Sequence, residues 1–233
     1  MTAKVKGCMF DFSSTLFHLE DAQSWLRAVV ADSGHAVGEE EVRLWAQRLL
    51  DFGAVPGGPA PRAADHGLTR LWQERDLDAV RHRAAYTGLL RAAGLPWPDL
   101  VDALYERHMT APAWQPYPDT LEVLDALRRS GVGVAMVSNI GWDLRPVFRH
   151  HGMDAYVDAY VLSFEHGVQK PDPALFQAAC EQLGLAAADV AMIGDDRVAD
   201  AGAAALGSPV HFVDALPVAD RPDALRGVLK HLL

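Results

Sequence analysis

The hydrophobic pattern of this chain changes character twice. Val5 to Phe10 predicts a short buried strand with Asp11 at its end. From His18 to Pro112 apolar residues recur at helical spacing: Trp25, Val29 and Val30, then Val42, Trp45, Leu49 and Leu50, then Leu89, Leu90, Leu100 and Leu104. This stretch predicts a bundle of four or five helices with no strand, broken after Leu50 by the Gly/Pro-rich segment FGAVPGGPAP. From Pro118 strand and helix patterns alternate. Asp119 or Thr120 caps a helix that runs to Arg129 and closes at Gly131. VGVAMV predicts a strand leading to Ser138, Leu144–His151 a short helix, Ala159–Leu162 a strand and Pro173–Leu183 a helix. Val190–Ile193 predicts the strand before Gly194, Asp200–Leu206 a further helix and Val210–Val213 a last strand.

Short links between alternating strands and helices predict an α/β fold, a doubly wound parallel-sheet (Rossmann-like) core. Residues 1–17 and 113–233 supply that core, and residues 18–112 are an inserted all-helical cap. An insertion placed directly after the strand that carries Asp11 sits over the carboxyl ends of the strands, where open α/β sheets bind ligands. Such a segment acts as a lid.

Composition narrows the function classes. At 233 residues, half of them apolar, the chain can bury a sizeable core. A formal charge of −10 with no basic run argues against a nucleic-acid partner. No stretch is long and apolar enough to span a bilayer, which argues against a membrane partner, and the N-terminus does not read as a signal peptide. Cys8 and Cys180 lack metal-site spacing and read as reduced core thiols of a cytoplasmic protein. Lysine occurs only at positions 4, 6, 170 and 230, so Lys170, set between Gln169 and Pro171 in a loop, stands out.

Four segments carry candidate chemistry: FDFSSTLF around Asp11, VAMVSNI around Ser138, GVQKPDP around Lys170 and MIGDDRVAD around Asp195. Three follow apolar strands and the third lies in a strand–helix loop, so a parallel sheet would gather them at one rim. Alone, Asp11 reads as a turn or capping residue. With Asp195 on a second strand end it becomes a nucleophile, a metal ligand, or both. Asp195, Asp196 and Asp200 lie within six residues, and packed near Asp11 they would repel unless a cation neutralised them. Oxygen ligands with room for water and phosphate suit Mg²⁺. Ser138, the backbone N–H of Asn139 and the ammonium of Lys170 could hold a phosphoryl group.

Taken in order, with helices inserted after the first, these segments resemble the haloacid dehalogenase superfamily, in the branch with a helical cap between the first and second motifs. YPDTLEVLDALRRSGVGVAMVSN, VLSFEHGVQKPDPALF and MIGDDRVADAGAAALG are similar to the family's wording. The resemblance implies a hydrolase of small phosphorylated metabolites that uses Mg²⁺ and an aspartyl-phosphate intermediate. It implies Asp11 as nucleophile and Thr15, Ser138, Asn139 and Lys170 as phosphate-site residues. It makes Asp11, Asp195 and the backbone carbonyl of Ser13 the metal ligands. Asp200 would orient Lys170 or a metal-bound water, with Asp196 backing up either role.

One position departs from that pattern. Phosphatases of this family carry a second aspartate two residues after the nucleophile, as general acid and base; here it is Ser13. A serine hydroxyl is a poor proton carrier, and loss of a positioned acid/base costs about 10²–10⁴-fold. Four explanations of Ser13 compete, and one of them fails. A slow phosphatase could borrow a proton carrier from the substrate or the cap, where His18 and Glu20 are candidates. A 2-haloacid dehalogenase would use Asp11 on carbon and need neither metal nor proton for the halide. A phosphonate-cleaving enzyme needs a cap lysine, and the insertion has none. A binding module would hold a phosphorylated ligand with little or no turnover. Of the other residues, Trp25, Trp45 and Trp72 read as cap core, and Trp142 and Arg145 as packing residues near the crevice. His150, His151 and His166 lack ligand spacing, while Arg62 and Arg70 read as solvated faces or as greeters of an anionic substrate.

Overall fold

The computed structural model describes residues 5–61 and 66–233. The first strand, β1 (Gly7–Phe10), is followed by β2 (Phe17–Leu19). Five helices come next: α1 (Ala22–Ser33), α2 (Glu39–Phe52), α3 (His66–Gln73), α4 (Ala79–Ala92) and α5 (Val101–His108). Then follow β3 (Trp114–Pro116), α6 (Thr120–Arg129), β4 (Gly133–Ser138), α7 (Arg145–His150) and β5 (Ala159–Leu162). The chain ends with α8 (Ser163–His166), α9 (Pro173–Leu183), β6 (Val190–Gly194), β7 (Val210–Phe212) and α10 (Ala224–Leu232).

The sheet is parallel throughout, in the order β5-β4-β1-β6-β7. Alternate residues of its strands enter two different cores. Cys8, Phe10, Val134, Met136, Ala191 and Ile193 face one way, where they meet Leu124 and Leu127 of α6 and Phe148 of α7. Met9, Ala135, Val137 and Met192 face the other way, onto Leu175, Phe176 and Ala179 of α9. Helices therefore cover both faces, as an α/β doubly wound sheet requires. The five inserted helices share a separate core built on Trp25, Leu26, Leu49, Leu89 and Leu104.

Helix ends follow local chemistry. Asp21 caps α1 by accepting from the N–H groups of Gln23 and Ser24, and Gly34 ends it at φ +80°. Asp172 caps α9 with Pro173 in its first position, and Gly184 ends it. Three expectations change. Asp119 does not cap α6: it is fully buried and accepts the Arg226 N–H at 3.0 Å, which ties down the start of α10. Asp200–Leu206 is a 3₁₀ helix, and Gly202 lets it press on Pro171, where a Cβ would stand 2.3 Å from the Pro171 oxygen. The inserted stretch also is not purely helical at its edges, because β2 and β3 pair antiparallel as a two-stranded ribbon. That ribbon carries both crossings between sheet and helices. Neither segment is long enough to show strand periodicity without its partner.

Phe12 sits beside this ribbon and is fully buried. Its ring lies 4.6 Å from Trp114 and 5.1 Å from Phe17, centroid to centroid. Phe12→Ala should cost about 3–5 kcal/mol of stability, measured by urea unfolding, because an aromatic void there cannot collapse.

Candidate active site

Strand register brings the acidic groups together. Cys8, Met9 and Phe10 pair level with Ala191, Met192 and Ile193, and the Asp11 N–H donates to the Ile193 carbonyl at 2.9 Å. Asp11 and Asp195 thus leave adjacent strands at one rim, and Ser138 ends β4 on the other side of β1. This is the point where the chain reverses its direction of sheet growth. Gly194 is required here: a Cβ would lie 2.0 Å from an Asp200 carboxylate oxygen.

Lys170 joins the acids. Its ammonium donates to Asp11 Oδ1 at 2.8 Å and to Asp200 Oδ1 at 2.5 Å. Lys170 is 5% exposed and Asp200 is fully buried. Burial alone would depress the lysine pKa, but Asp11 and Asp200 overcome it and hold the ammonium above its ordinary value. The other Asp200 oxygen accepts the Asp196 N–H at 2.9 Å, so Asp200 ties lysine and loop together. Asn139 fixes the Lys170 backbone at both ends: its Oδ1 accepts the Lys170 N–H at 2.7 Å and its Nδ2 donates to the Lys170 carbonyl at 3.0 Å.

Oxygens of Asp11, Asp195 and Asp200 lie within 4.8 Å of one another. One ammonium is shared by Asp11 and Asp200, while among the described residues the Asp195 carboxylate accepts from the Thr15 hydroxyl alone, at 3.2 Å. Burial, followed by the charges of Asp11 and Asp200, raises the Asp195 carboxyl well above the usual range. A half-buried carboxylate with uncompensated acidic neighbours fits a hard divalent cation.

Asp11, Ser13, Ser138, Asn139, Lys170 and Asp195 line one cavity of about 250 Å³. Several expected residues are placed differently. Thr15 is fully buried, donates to Asp195 and is not part of the cavity wall, so it positions that carboxylate and does not face a phosphate. The Asn139 side chain is committed to Lys170. Asp196 is exposed at the cavity edge and accepts the N–H groups of Val198 and Ala199, which shapes the turn. His18 and Glu20 line a neighbouring cavity that shares Ser13 and Ser14 with this one; His18 packs on Tyr117 and Glu20 binds Arg107 at 2.6 Å. Arg70 pairs with Glu74, Arg145 pairs with Asp143 and Glu165, and Arg62 lies outside the described residues. Trp25 is core and Trp45 packs on Trp97, whereas Trp72 and Trp142 do reach the cavity.

The inserted segment contributes groups that sequence reading missed. Arg75, Asp76, His82, Tyr86 and His108 complete the cavity wall. Arg75 lies 4.0 Å above the Trp72 ring and 3.2 Å from Asp76, and His82 Nε2 stands 3.8 Å from the same carboxylate. Burial raises the Asp76 carboxyl, an effect that Arg75 and Lys170 oppose and Asp11 reinforces. Burial also holds His82 well below its ordinary value and His108 down to about 3, so both rings are neutral at pH 7. One signal was readable: His82 and Tyr86 are one helical turn apart, and His108 extends the buried face of Val101, Leu104 and Tyr105. Arg221, also missed, is buried over Tyr117 and donates to the carbonyls of Ser14 and Thr15, which clamps the loop after Asp11.

Sheet, rim chemistry and helical insertion define a doubly wound α/β protein with an acidic, lysine-bearing site. The haloacid dehalogenase-like hydrolase family matches residues 5–207, and the chain belongs to that family. It is 29% identical over 199 residues to (S)-2-haloacid dehalogenase 4A of Burkholderia cepacia, an alignment covering 84% of this chain and 77% of that one. It is 34% identical over 222 residues to ribulose-1,5-bisphosphate 5-phosphatase of Halopiger xanaduensis, covering 91% and 89%. A crystal structure of a dehalogenase superposes with a TM-score of 0.60 at 26% identity, covering 90% of this chain and 85% of the other. Both branches of the family are thus represented among its relatives.

A buried neutral histidine takes up its proton only on unfolding, so its contribution to stability is complete above pH ~6.5 and is lost as pH falls. Each such ring loses about 1.4 kcal/mol per pH unit. His108→Leu removes one of these losses. Between pH 6.5 and 5 the variant should gain about 2 kcal/mol relative to the natural protein, read from urea unfolding at the two pH values.

Proposed function

We propose that this chain is a Mg²⁺-dependent hydrolase of small phosphate monoesters that works through an aspartyl-phosphate on Asp11. The observation that carries this reading is the surplus of carboxylate at the rim: Asp195 stands beside Asp11 and Asp200 with no ion pair of its own among the described residues. A dehalogenation at carbon has no use for such a surplus, whereas a phosphatase uses it to hold metal. Asp11, Asp195 and the Ser13 carbonyl are the ligands we assign to Mg²⁺. Bound there, the ion would offset charge on the phosphate oxygens.

The chain's own groups perform the remaining work. Asp11 attacks phosphorus in line with the departing alcohol oxygen. Lys170 is kept charged by Asp11 and Asp200, and together with the Ser138 hydroxyl it holds the transferred group. Residues 18–112 serve as the cap. Pro56, Gly57 and Gly58 of the segment that follows α2 reach the cavity wall, and a Cβ on Gly57 would touch Ser13 Oγ at 3.4 Å. A cavity of about 250 Å³ suits small phosphorylated metabolites and excludes large substrates. Two buried free thiols, Cys8 and Cys180, accord with a cytoplasmic setting.

A second reading has its own support. The dehalogenase relatives, the serine at position 13 and the aromatic wall of Trp72, Trp114 and Trp142 suit attack on a haloacid carbon. The readings separate in one experiment, a screen of phosphorylated metabolites and 2-chloropropionate with Mg²⁺ or with EDTA. Phosphate release that needs Mg²⁺ and falls about 10³-fold or more in Asp11→Asn is expected. Chloride release in EDTA, with no phosphate release in Mg²⁺, overturns the phosphatase reading.

A further inference from the structure

We propose that Asp76, a carboxyl group of the inserted segment, is the proton carrier of this site and replaces the aspartate absent at position 13. The assignment rests on the phosphatase reading above. Nine ionisable groups line the cavity wall among the described residues. From the core come Asp11, Lys170, Asp195 and Asp196, and from the insertion Arg75, Asp76, His82, Tyr86 and His108. Asp11 is the nucleophile, Lys170 is bound to two carboxylates, and Asp195 is the carboxylate assigned to the cation. Asp196 is exposed and spends its carboxylate on two backbone N–H groups. His82 and His108 are neutral at pH 7 and carry no proton to give as acids, and His82 Nδ1 is bonded to the Tyr105 hydroxyl at 3.0 Å. Arg75 keeps its charge, and burial raises the Tyr86 hydroxyl far from neutrality. Asp76 is the remaining wall carboxyl: among the described residues it binds neither Lys170 nor a backbone N–H through its side chain, and it lies 3.2 Å from Arg75 and 3.8 Å from His82 Nε2.

Its placement is built. The Asp76 N–H donates to Gln169 Oε1 at 2.9 Å, and its carbonyl accepts from the Ser163 hydroxyl at 2.6 Å. Gln169 also donates to the Gln73 carbonyl at 2.9 Å. Gln169 precedes Lys170 in the chain, so one loop sets both the ammonium that holds Asp11 and the turn that carries Asp76. His82 is seated tightly as well, since a Cβ on Gly141 would lie 2.3 Å from it. Asp76 is 2% exposed and lies within the electrostatic reach of both Asp11 and Lys170. Burial, the largest influence, raises its carboxyl above the usual range against the opposing charges of Arg75 and Lys170, which favours a form that can donate a proton.

The proton accounting closes. As Asp11 oxygen bonds to phosphorus, the ester P–O bond breaks, and Asp76 gives its proton to the departing oxygen, which leaves as the alcohol. The resulting Asp76 carboxylate takes a proton from water as the water oxygen bonds to phosphorus. The Asp11–phosphorus bond then breaks, its electron pair returns to the Asp11 carboxylate, and inorganic phosphate leaves with Asp76 protonated again.

Leaving-group dependence and rescue test this role. An alkyl phosphate needs a proton on its leaving oxygen, and p-nitrophenyl phosphate does not. In Mg²⁺, Asp76→Asn should lower alkyl phosphate turnover about 10²–10⁴-fold. It should keep a one-equivalent burst of p-nitrophenolate while its steady state slows. Ser13→Asp should restore alkyl phosphate turnover in the Asp76→Asn background. Equal losses on both esters in the burst, with no rescue by Ser13→Asp, overturn the assignment and leave Asp76 as a structural residue. Unchanged kinetics in Asp76→Asn also overturn it. Where thermal melting shows that Asp76→Asn is unfolded, Asp76→Ser carries the same comparison. A natural enzyme with no Mg²⁺-dependent turnover of either ester sinks the phosphatase reading itself, an outcome distinct from the failure of Asp76 alone.

Discussion

The ammonium of Lys170 is the interaction on which the site depends. Three carboxylates converge at the rim, and without a buried cation they would force one another to protonate or part. Lys170 binds two of them and is itself locked by Asn139 through both its backbone groups. The arrangement leaves Asp195 as the acid with charge to spare. Removing one partner of such a buried pair is far more disruptive than never having built it, because the remaining charges stay desolvated. The loop from Gly167 to Pro173 is therefore as much part of the fold as of the site.

That loop also governs the inserted helices. Gln169 and Ser163 take up the backbone of Asp76, so the 3₁₀ turn Arg75–Leu77 is held by hydrogen bonds and not by apolar contact alone. Directional bonds of this kind fix distance and angle, whereas apolar faces can slide. The cavity wall consequently joins two halves in a defined register: carboxylates and an ammonium below, and an arginine, a carboxyl and neutral histidines above. The antiparallel ribbon of β2 and β3 is the covalent passage between them, and Phe12 anchors it next to Asp11.

Much of the core was legible because its chemistry is local. Apolar runs at Gly7–Phe10, Gly133–Ser138 and Val190–Gly194 are strands, and the residues that follow them lie where a parallel sheet ends. Asp11, Ser138, Lys170 and Asp195 could be named from turn position and residue type alone. The insertion was less legible. Its helices show in their periodicity, but Arg75, Asp76 and His82 look like ordinary helix-boundary residues until the sheet lies beneath them. Thr15 was read as facing a phosphate, yet its hydroxyl serves Asp195; the Asn139 side chain serves Lys170 while the residue still lines the cavity. A hydroxyl or amide reveals its acceptor only when the neighbouring strand is in place.

From its residues by themselves the chain determined a doubly wound α/β core, an acidic rim and an inserted helical stretch, since strand patterns, caps and motif spacing depend on near neighbours. Tertiary structure alone decided which acid shares the lysine, which is left in surplus, and which side chains of the insertion reach the cavity. Those outcomes depend on burial and on distances between residues such as 76 and 169, or 11 and 170, that are far apart in sequence. Electrostatic energy inside a protein varies with separation and desolvation, and neither quantity exists until the chain has folded.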